Sequence, residues 1–268
     1  MSVIDISLLE QIRSLLEKQE PPAALLELTG DLQPYDLSNL LTNLDTAEQF
    51  LLLTALPPER SAETLGHFEP VEQYRFLDHL EQGVTAAILN QMSSDTVVEL
   101  FSALHPLQTE QLIALLHEPF RRQIRDQMSY PENSAGSLAT VGYIAARRWW
   151  TADQTLAHLR KVGSTTEFYS YIYILDHLGE LVGVLSLRQL ILADPATRLE
   201  EIMLQKLITV PAELDQEQAA QMVAQYDLTA LPVISREGKM VGVLTVDDII
   251  DVIEEEATED IHLLGGSE

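Results

Sequence analysis

The sequence predicts a multidomain protein in which an all-α superhelical (solenoid-like) domain precedes a tandem pair of α/β domains and an acidic C-terminal helix. Three observations lead to this prediction. A helix-start pattern recurs in the first half, a strand–glycine–strand pattern occurs twice in the second half, and the chain ends in a run of carboxylates. Hydrophobic period and repeat length are the main guides to architecture in a single sequence.

Composition limits the functions that this chain can have. Its 268 residues suffice for two or three domains, and 46% are hydrophobic, too many for a disordered acidic protein. With 16 Lys and Arg against 42 Asp and Glu, the formal net charge is −26, which repels nucleic acid and attracts cations. The absence of cysteine excludes disulfides, thiolate metal sites and cysteine catalysis. With no visible signal peptide or membrane-spanning apolar run, we expect a soluble chain that binds no nucleic acid.

Residues 1–130 are predicted to form the helical repeat domain. One pattern of apolar and helix-start residues occurs three times, at 33–44, 57–68 and 93–104. The positions typical of a helix start are occupied by Pro34, Pro58 and Ser94. Each copy leads into a second helix, and short helix pairs whose apolar stripes need neighbours indicate a solenoid. A solenoid usually serves as a scaffold for interactions rather than as an enzyme.

Residues 131–197 and 198–253 are predicted to be two copies of a β-α-β-β-α unit. In each copy, two β-rich runs flank a glycine turn, and a helical segment precedes them. Gly179 in the first turn matches Gly238 in the second, 59 residues later. This repetition predicts two similar domains in tandem.

The segment 245–261 holds eight carboxylates and no basic residue, with its apolar residues at helical spacing. In a helix, Asp247, Asp251, Glu255 and Glu259 would stand four apart on one face, where like charges destabilise by about 0.2–0.5 kcal/mol per pair. A hard divalent cation, which takes oxygen ligands, would relieve that repulsion. A solvated acidic face is the alternative, and it is the more common state of acidic runs.

The two α/β copies resemble a tandem pair of CBS domains. The likeness rests on Tyr226-Asp-Leu-Thr-Ala-Leu-Pro-Val-Ile234 and on Gly242-Val-Leu-Thr-Val-Asp-Asp-Ile249. The resemblance implies either a sensor of adenosine ligands or a plain structural module.

In CBS sites that hold a nucleotide, the resemblance implies that an Asp three residues after a Ser or Thr binds the ribose. The second copy has this pair as Thr245 and Asp248, whereas in the first copy Ser186 is followed by Gln189. Arg188 is the candidate phosphate contact of the first copy, and a surface salt bridge is an equally good interpretation of it.

The whole chain resembles the cytosolic part of the MgtE family of magnesium channels. The likeness rests on the order of the domains, on Tyr130-Pro-Glu-Asn-Ser-Ala-Gly-Ser137 and on Glu256-Ala-Thr-Glu-Asp-Ile261. It implies a homodimer at the cytoplasmic face of the cell membrane, with residues 254–268 beginning a connecting (plug) helix. That helix would lead into a transmembrane pore domain of the same full-length chain, which this fragment lacks.

The resemblance also implies a function and a set of ligands. Mg2+ would bridge acidic residues between domains and close the pore. The residues implied as Mg2+ ligands are Glu63, Asp95 and Glu99 in the helical domain, Glu217, the Ala224 carbonyl, Asp227, Asp248 and Asp251 in the second CBS domain, and Glu256, Glu259 and Asp260 on the connecting helix.

Two other functions compete with a Mg2+-sensing gating domain. The first is an adenine-nucleotide-sensing CBS module with ATP as its ligand, which Gln189 disfavours. The second is a metal-dependent enzyme, which would need a nucleophile, a base or an activated water in a pocket. The sequence has no zinc-protease, nucleophile-elbow or phosphate-loop motif, so we expect no enzymatic activity.

Overall fold

The structure is a computed structural model, and it describes residues 6–18, 22–162 and 168–253. The chain divides into two compact units. The first unit is made of residues 1–92 and 99–124, and the second of residues 93–98 and 125–268. The start of one helix, at residues 94–98, therefore belongs to the second unit, although the rest of that helix belongs to the first.

In the described part of residues 1–130, ten helices make up the region before the two α/β copies. They are α1 (Ile6–Glu17), α2 (Pro22–Thr29), α3 (Pro34–Thr42), α4 (Thr46–Ala55), α5 (Pro58–Leu65), α6 (Pro70–His79), α7 (Gln82–Leu89), α8 (Ser94–Ser102), α9 (Pro106–Ile113) and α10 (Phe120–Gln127). The predicted helical domain is confirmed, including the starts of α3, α5 and α8 at the three predicted positions.

The helices follow a shorter period than the sequence predicted. Helices α2 to α9 begin at residues 22, 34, 46, 58, 70, 82, 94 and 106, so a new helix starts every twelve residues. Proline opens five of these eight helices, where its missing amide proton costs nothing. The three copies found in the sequence are thus members of a single-helix repeat rather than of a repeat of helix pairs.

The same positions of each repeat are buried. The seventh and eighth residues of a helix form the apolar core, as Leu52 and Leu53 do in α4 and Ile88 and Leu89 do in α7. In α4, α5, α7 and α9 the fourth residue is a buried polar side chain that donates to a carbonyl near the end of the preceding helix, which satisfies a group that the helix itself leaves unpaired. These bonds are Gln49 to Leu41 (2.8 Å), Ser61 to Leu53 (3.0 Å), Thr85 to Leu77 (2.9 Å) and Thr109 to Phe101 (3.1 Å).

The second unit contains the two predicted β-α-β-β-α copies. The first copy comprises β1 (Tyr143–Arg147), α12 (Ala152–Val162), β2 (Phe168–Leu175), β3 (Leu181–Ser186) and α13 (Leu187–Leu192), and a short helix, α11 (Ala135–Leu138), precedes it. The second copy comprises β4 (Val210–Pro211), α15 (Gln216–Tyr226), β5 (Ala230–Ile234), β6 (Met240–Thr245) and a last helix, α16, over residues 246–253, and α14 (Leu199–Ile202) precedes it. The predicted connecting helix, residues 254–268, lies outside the described residues.

Each copy has a three-stranded sheet of the same topology. In the order β1-β2-β3, the first pair is parallel and the second antiparallel, and β4-β5-β6 repeats this. The hairpin turns contain Gly179 and Gly238, with φ of 84° and 76°. Glycine adopts this left-handed region without the strain that a side chain would bring, which explains the matching glycines. Each sheet packs on its own apolar core cluster.

Each sheet also accepts one residue from the chain that leads into the other copy. Thr140, ahead of β1, exchanges two backbone hydrogen bonds with Val243 of β6, at 2.9 and 3.0 Å. Leu204, ahead of β4, does the same with Val184 of β3. Since Val243 and Val184 are 59 residues apart, these are equivalent positions of the repeat. The two copies are therefore interlinked through their edge strands.

Candidate functional site

Asp95, at the second position of α8, lies in the second unit against the segment before β1. The Thr140 hydroxyl donates to its Oδ1 at 3.2 Å. One residue further, the Val141 amide donates to the hydroxyl of Ser94 at 3.0 Å. The start of α8 is thus attached to this segment by two hydrogen bonds from neighbouring residues.

Asp248, near the start of α16, is oriented by the end of β6. Its Oδ2 accepts from the amide of Thr245 at 2.6 Å and from the hydroxyl of the same residue at 2.8 Å. The Thr245 hydroxyl also contacts the neighbouring Asp247 carboxylate. A Thr followed three residues later by an acidic residue is the pattern that caps a helix start. The spacing predicted to bind a ribose therefore has a local structural role here.

Asp95 and Asp248 interact electrostatically. Burial, and after it the charge of Asp95, raise the pKa of the Asp248 carboxyl to about 7. Burial also raises the pKa of Asp95, against hydrogen bonds from Ser93, Thr140 and the helix amides. Two partly buried carboxylates that repel each other in this way are stabilised by a proton or by a cation.

The donor set fits Mg2+. The ion takes oxygen ligands, keeps several of its own waters and is held by one or two carboxylates in most protein sites. Asp95 and Asp248 supply two carboxylates, and one oxygen of each is already oriented by a threonine. Across residues 6–18, 22–162 and 168–253, no group of three or more Asp, Glu, His or Cys side chains is arranged to hold a metal.

Three predicted ligands lie along α15. Glu217, in the first turn, is exposed and accepts from Gln221 at 3.1 Å. The Leu228 amide, which would reach the Ala224 carbonyl in a continuing helix, donates instead to Val223, so the carbonyl lacks its usual helical partner. Asp227 ends the helix with φ of 49° and is exposed.

The other predicted ligands are exposed where the structure describes them. Glu63 on α5 and Glu99 on α8 are exposed residues of the first unit, and Asp251 is exposed on α16. Glu256, Glu259 and Asp260 lie outside the described residues. Asp95 and Asp248 are thus the two predicted ligands that interact electrostatically, and the roles of the others stay predictions.

Sequence reasoning missed Ser94 and Thr140 as partners of the site. Ser94 opens the third copy of the helix-start pattern, so its place at a helix N-terminus was readable, but its contact was not. Thr140 is 45 residues from Asp95 in the chain, and no local pattern connects them. Only the folded arrangement identifies it.

An open pocket of about 790 Å3 lies beside α13, lined by residues of the first α/β copy and by Thr229 of the second. Arg188 lines it together with Tyr171, Ser186 and Thr229, and its side chain is exposed. At the position that corresponds to Asp248, the Gln189 Oε1 accepts from the amide and hydroxyl of Ser186 at 3.0 and 2.8 Å. The first copy therefore keeps the helix cap but replaces the carboxylate with a neutral amide.

Comparison with known proteins gives a consistent family. Residues 32–133 match the model of the MgtE intracellular N domain, and residues 199–255 match the CBS domain. The chain is 41% identical over 245 residues to the magnesium transporter MgtE of Thermus thermophilus, covering 90% of this chain and 54% of that protein. It is 37% identical to the crystallised cytosolic domain of the Mg2+ channel MgtE in complex with ATP, covering 91% of this chain and 99% of that one, with a TM-score of 0.84.

The chain belongs to the MgtE family. A second crystal structure, of the soluble part of a magnesium transporter, shares the fold of this MgtE chain with a TM-score of 0.87 at 28% identity, covering 94% of this chain and 98% of the other. The predicted order of a helical domain and a CBS pair is therefore confirmed. None of these relatives is named as an enzyme, which agrees with the prediction that this MgtE chain is not one.

This MgtE chain spans about half the length of the curated relatives that it matches. Over the ranges that the structure describes, no helix combines the length and the apolar character needed to cross a bilayer.

Proposed function

We propose that this chain is the Mg2+-sensing regulatory region of a homodimeric magnesium channel. The observation that supports it best is the Asp95–Asp248 pair, in which burial and mutual repulsion raise the pKa of Asp248 to about 7. The names of the relatives, a magnesium transporter and the cytosolic domain of a Mg2+ channel, support magnesium as the ion.

The Asp95–Asp248 pair holds the start of α8 in place to a degree that depends on the Mg2+ concentration. Thr140 orients Asp95 and Thr245 orients Asp248, so that both carboxylates are held ready for a cation. Bound Mg2+ supplies the positive charge that offsets their repulsion and holds residues 93–98 against the rest of the second unit. At low Mg2+ the repulsion favours their release. The free energy for this change is the difference between the Mg2+ affinities of the two states.

In the full-length protein, Mg2+ binding by this pair would close the pore when Mg2+ is abundant. We place the chain at the cytoplasmic face of the cell membrane, with the pore domain in the part of the full-length protein that this chain does not include. The half-length match to the Thermus thermophilus transporter supports that arrangement. The other predicted ligands are retained in the proposal as contributors to further Mg2+ contacts in the complete channel.

The proposal includes a second copy of the chain as partner. Equivalent positions of α13 and α16 are exposed and apolar: Ile191 is 60% exposed and Ile250, 59 residues later, is 51% exposed. Val246 and Ile253 continue this stripe on α16, because residues 246, 250 and 253 share one helical face. Two equivalent apolar helices on one molecule suit a two-fold interface, in which the same surface meets itself.

The test is a titration of the chain with MgCl2, followed by calorimetry and by small-angle X-ray scattering, with NaCl at matched ionic strength. We expect saturable binding and a Mg2+-specific change in the scattering curve. Asp248→Asn removes one ligand while keeping an acceptor for Thr245, and it should weaken binding at least tenfold. Asp153→Asn removes one exposed carboxylate of α12 and should leave binding unchanged. Equal effects of MgCl2 and NaCl would contradict the proposal.

A second candidate function is the sensing of an adenine nucleotide. It is favoured by the pocket around Arg188 and by the relative that was crystallised with ATP. Gln189, in place of a ribose-binding carboxylate, disfavours it. Calorimetry with ATP on the native chain and on Arg188→Ala decides between Mg2+ sensing and nucleotide sensing. Nucleotide binding that depends on Arg188, together with no response to Mg2+, would make this the function.

A further inference from the structure

We infer that Thr140 is a positioning residue of the Mg2+ site, through which the second α/β copy sets the orientation of the Asp95 carboxylate. This inference rests on the proposed function of the Asp95–Asp248 pair. It adds a residue that binds no ion itself but controls how well the ion is held.

Thr140 contacts both halves of the site. Its hydroxyl donates to Asp95 Oδ1 at 3.2 Å. Its backbone amide and carbonyl pair with Val243 of β6, two residues before the Thr245 that orients Asp248. One residue, 5% exposed, therefore joins the ligand on α8 to the strand whose last residue, Thr245, orients the other ligand.

The surroundings hold Thr140 in this place. A Cβ on Gly242 would come within 2.8 Å of the Thr140 carbonyl oxygen and of Ala139 Cβ, so only glycine allows β6 to approach so closely. On the other side, the buried Gln127 amide donates to the carbonyls of Ser137 and Ala139 at 2.9 and 2.7 Å. The backbone on which the hydroxyl stands is thus fixed from two directions.

The other α/β copy offers an internal comparison. Leu204 occupies the place of Thr140, because it pairs with Val184 as Thr140 pairs with Val243. Gln189 occupies the place of Asp248 and keeps its bonds to the preceding Ser186. The helix cap is therefore present in both copies. The copy with the Asp248 carboxylate therefore has a hydroxyl, that of Thr140, at its edge strand. The copy with Gln189 has Leu204 there, which carries no hydroxyl.

The expected effect follows from the role of such partners in metal sites. A group that hydrogen-bonds a ligand fixes its rotamer, and removing it typically weakens metal binding by about 10–100-fold. Without the Thr140 hydroxyl, Asp95 keeps the hydrogen bonds from Ser93 and the helix amides but loses the one that fixes its Oδ1 from the segment before β1, so the ion must supply part of the ordering at a cost in side-chain entropy. The affinity for Mg2+ should fall, although both carboxylates remain.

The experiment compares Thr140→Val, which keeps the shape and loses the hydroxyl, with Thr140→Ser, which keeps the hydroxyl. Thr155→Val is the control, because Thr155 is fully buried in the same unit and its hydroxyl donates to the Thr151 carbonyl, away from the acidic pair. Each chain is titrated with MgCl2 by calorimetry, and its melting temperature is measured without and with Mg2+. The melting temperature without Mg2+ reports on structure, and the difference between the two reports on binding.

We expect Thr140→Val to weaken Mg2+ binding about tenfold or more, and Thr140→Ser and Thr155→Val to stay within about threefold of the native chain. If Thr140→Val binds Mg2+ like the native chain, or if Thr140→Ser loses as much affinity as Thr140→Val, the positioning role is wrong. Should Thr140→Val fail to fold, the serine variant alone decides, since retention of affinity supports the role and loss overturns it.

Failure of the proposed function would look different. In that case the native chain itself would show no saturable Mg2+ binding, or Asp248→Asn would bind as tightly as the native chain. If Mg2+ affinity falls in Asp248→Asn but not in Thr140→Val, the positioning role is overturned and the proposed function is not.

Discussion

At the scale of single residues, Asp95 and Asp248 are the groups whose environment conflicts most with their charge. Asp248 is held by Thr245 at the start of a helix, a position that favours a negative charge. Burial and the neighbouring Asp95 nevertheless raise its pKa to about 7. The protein keeps a carboxylate where it costs stability, as functional sites commonly do.

This conflict predicts that Asp248→Asn stabilises the chain when no divalent cation is present. The amide has no charge to repel Asp95 and still accepts a bond from the Thr245 amide. At pH 8 in EDTA we expect the melting temperature of the second unit to rise. In 10 mM MgCl2 the order should reverse, because the native chain gains stability from binding and the variant does not. A variant less stable than the native chain in both buffers would contradict this.

The same pair predicts a pH dependence with a definite sign. The folded-state pKa of Asp248, about 7, is above the ordinary value of 3.8, so the folded chain retains a proton that the unfolded chain has released. The stability contributed by this group therefore falls as pH rises from about 4 to about 7 and is constant above that.

The measurement is the difference in melting temperature between the native chain and Asp248→Asn from pH 4.5 to 8, without Mg2+. Subtracting the variant removes the contributions of the other carboxylates. We expect a difference that grows in favour of the variant up to about pH 7. Proton competition should also weaken Mg2+ binding below pH 7, by up to about tenfold per pH unit. A difference that is flat with pH would show that Asp248 titrates normally.

At the scale of elements, the close approach of β6 to the segment before β1 depends on Gly242. A methyl group there would lie 2.8 Å from both Ala139 Cβ and the Thr140 carbonyl oxygen, so the segment or the strand must move. Gly83, at the second position of α7, is a matched contrast, because a Cβ there would meet nothing within 4 Å.

We predict that Gly242→Ala destabilises the second unit by about 1–3 kcal/mol, as overpacking commonly does. Gly83→Ala should instead stabilise the first unit by about 0.4–1 kcal/mol, since alanine restricts the unfolded chain and suits a helix. Differential scanning calorimetry resolves the two if the units melt separately. Opposite signs for the two variants are the expected result, and a neutral Gly242→Ala would mean that the edge contact is loose.

Some of these elements could be read from the sequence, and some could not. Proline at the helix starts and glycine in the two hairpins are local requirements, so Pro34, Pro58, Gly179 and Gly238 predicted their structures correctly. The contact between Thr140 and Asp95 joins residues 45 apart through a strand pairing that has no sequence signature. The acidic residues were conspicuous, but which two of them meet depends on tertiary packing.

At the scale of the whole molecule, the apolar stripe on α13 and α16 is the surface proposed to meet a second copy. Its members are exposed on helices whose other face is buried, as Leu190 and Ile249 illustrate. A monomer would leave these side chains in water, and burying them is the main favourable term in association.

We predict that Ile250→Glu weakens the dimer at least tenfold in analytical ultracentrifugation, because it places a charge in the interface without touching the core. Leu107→Glu, at an apolar residue of α9 that is 72% exposed against 51% for Ile250, should leave association unchanged. Sedimentation of both variants like the native chain would remove α16 from the proposed interface.

The twelve-residue spacing of α2 to α9 means that the array can change in length only by whole repeats without disturbing its core. Within a helix, adding or deleting a single residue turns every later side chain by about 100°, so the buried residues at positions seven and eight would face water. Deleting or duplicating one complete twelve-residue repeat keeps every later buried position facing the core. Length variation along this array is therefore expected in steps of twelve, and a gap of any other size should fall between the last residue of one helix and the first residue of the next.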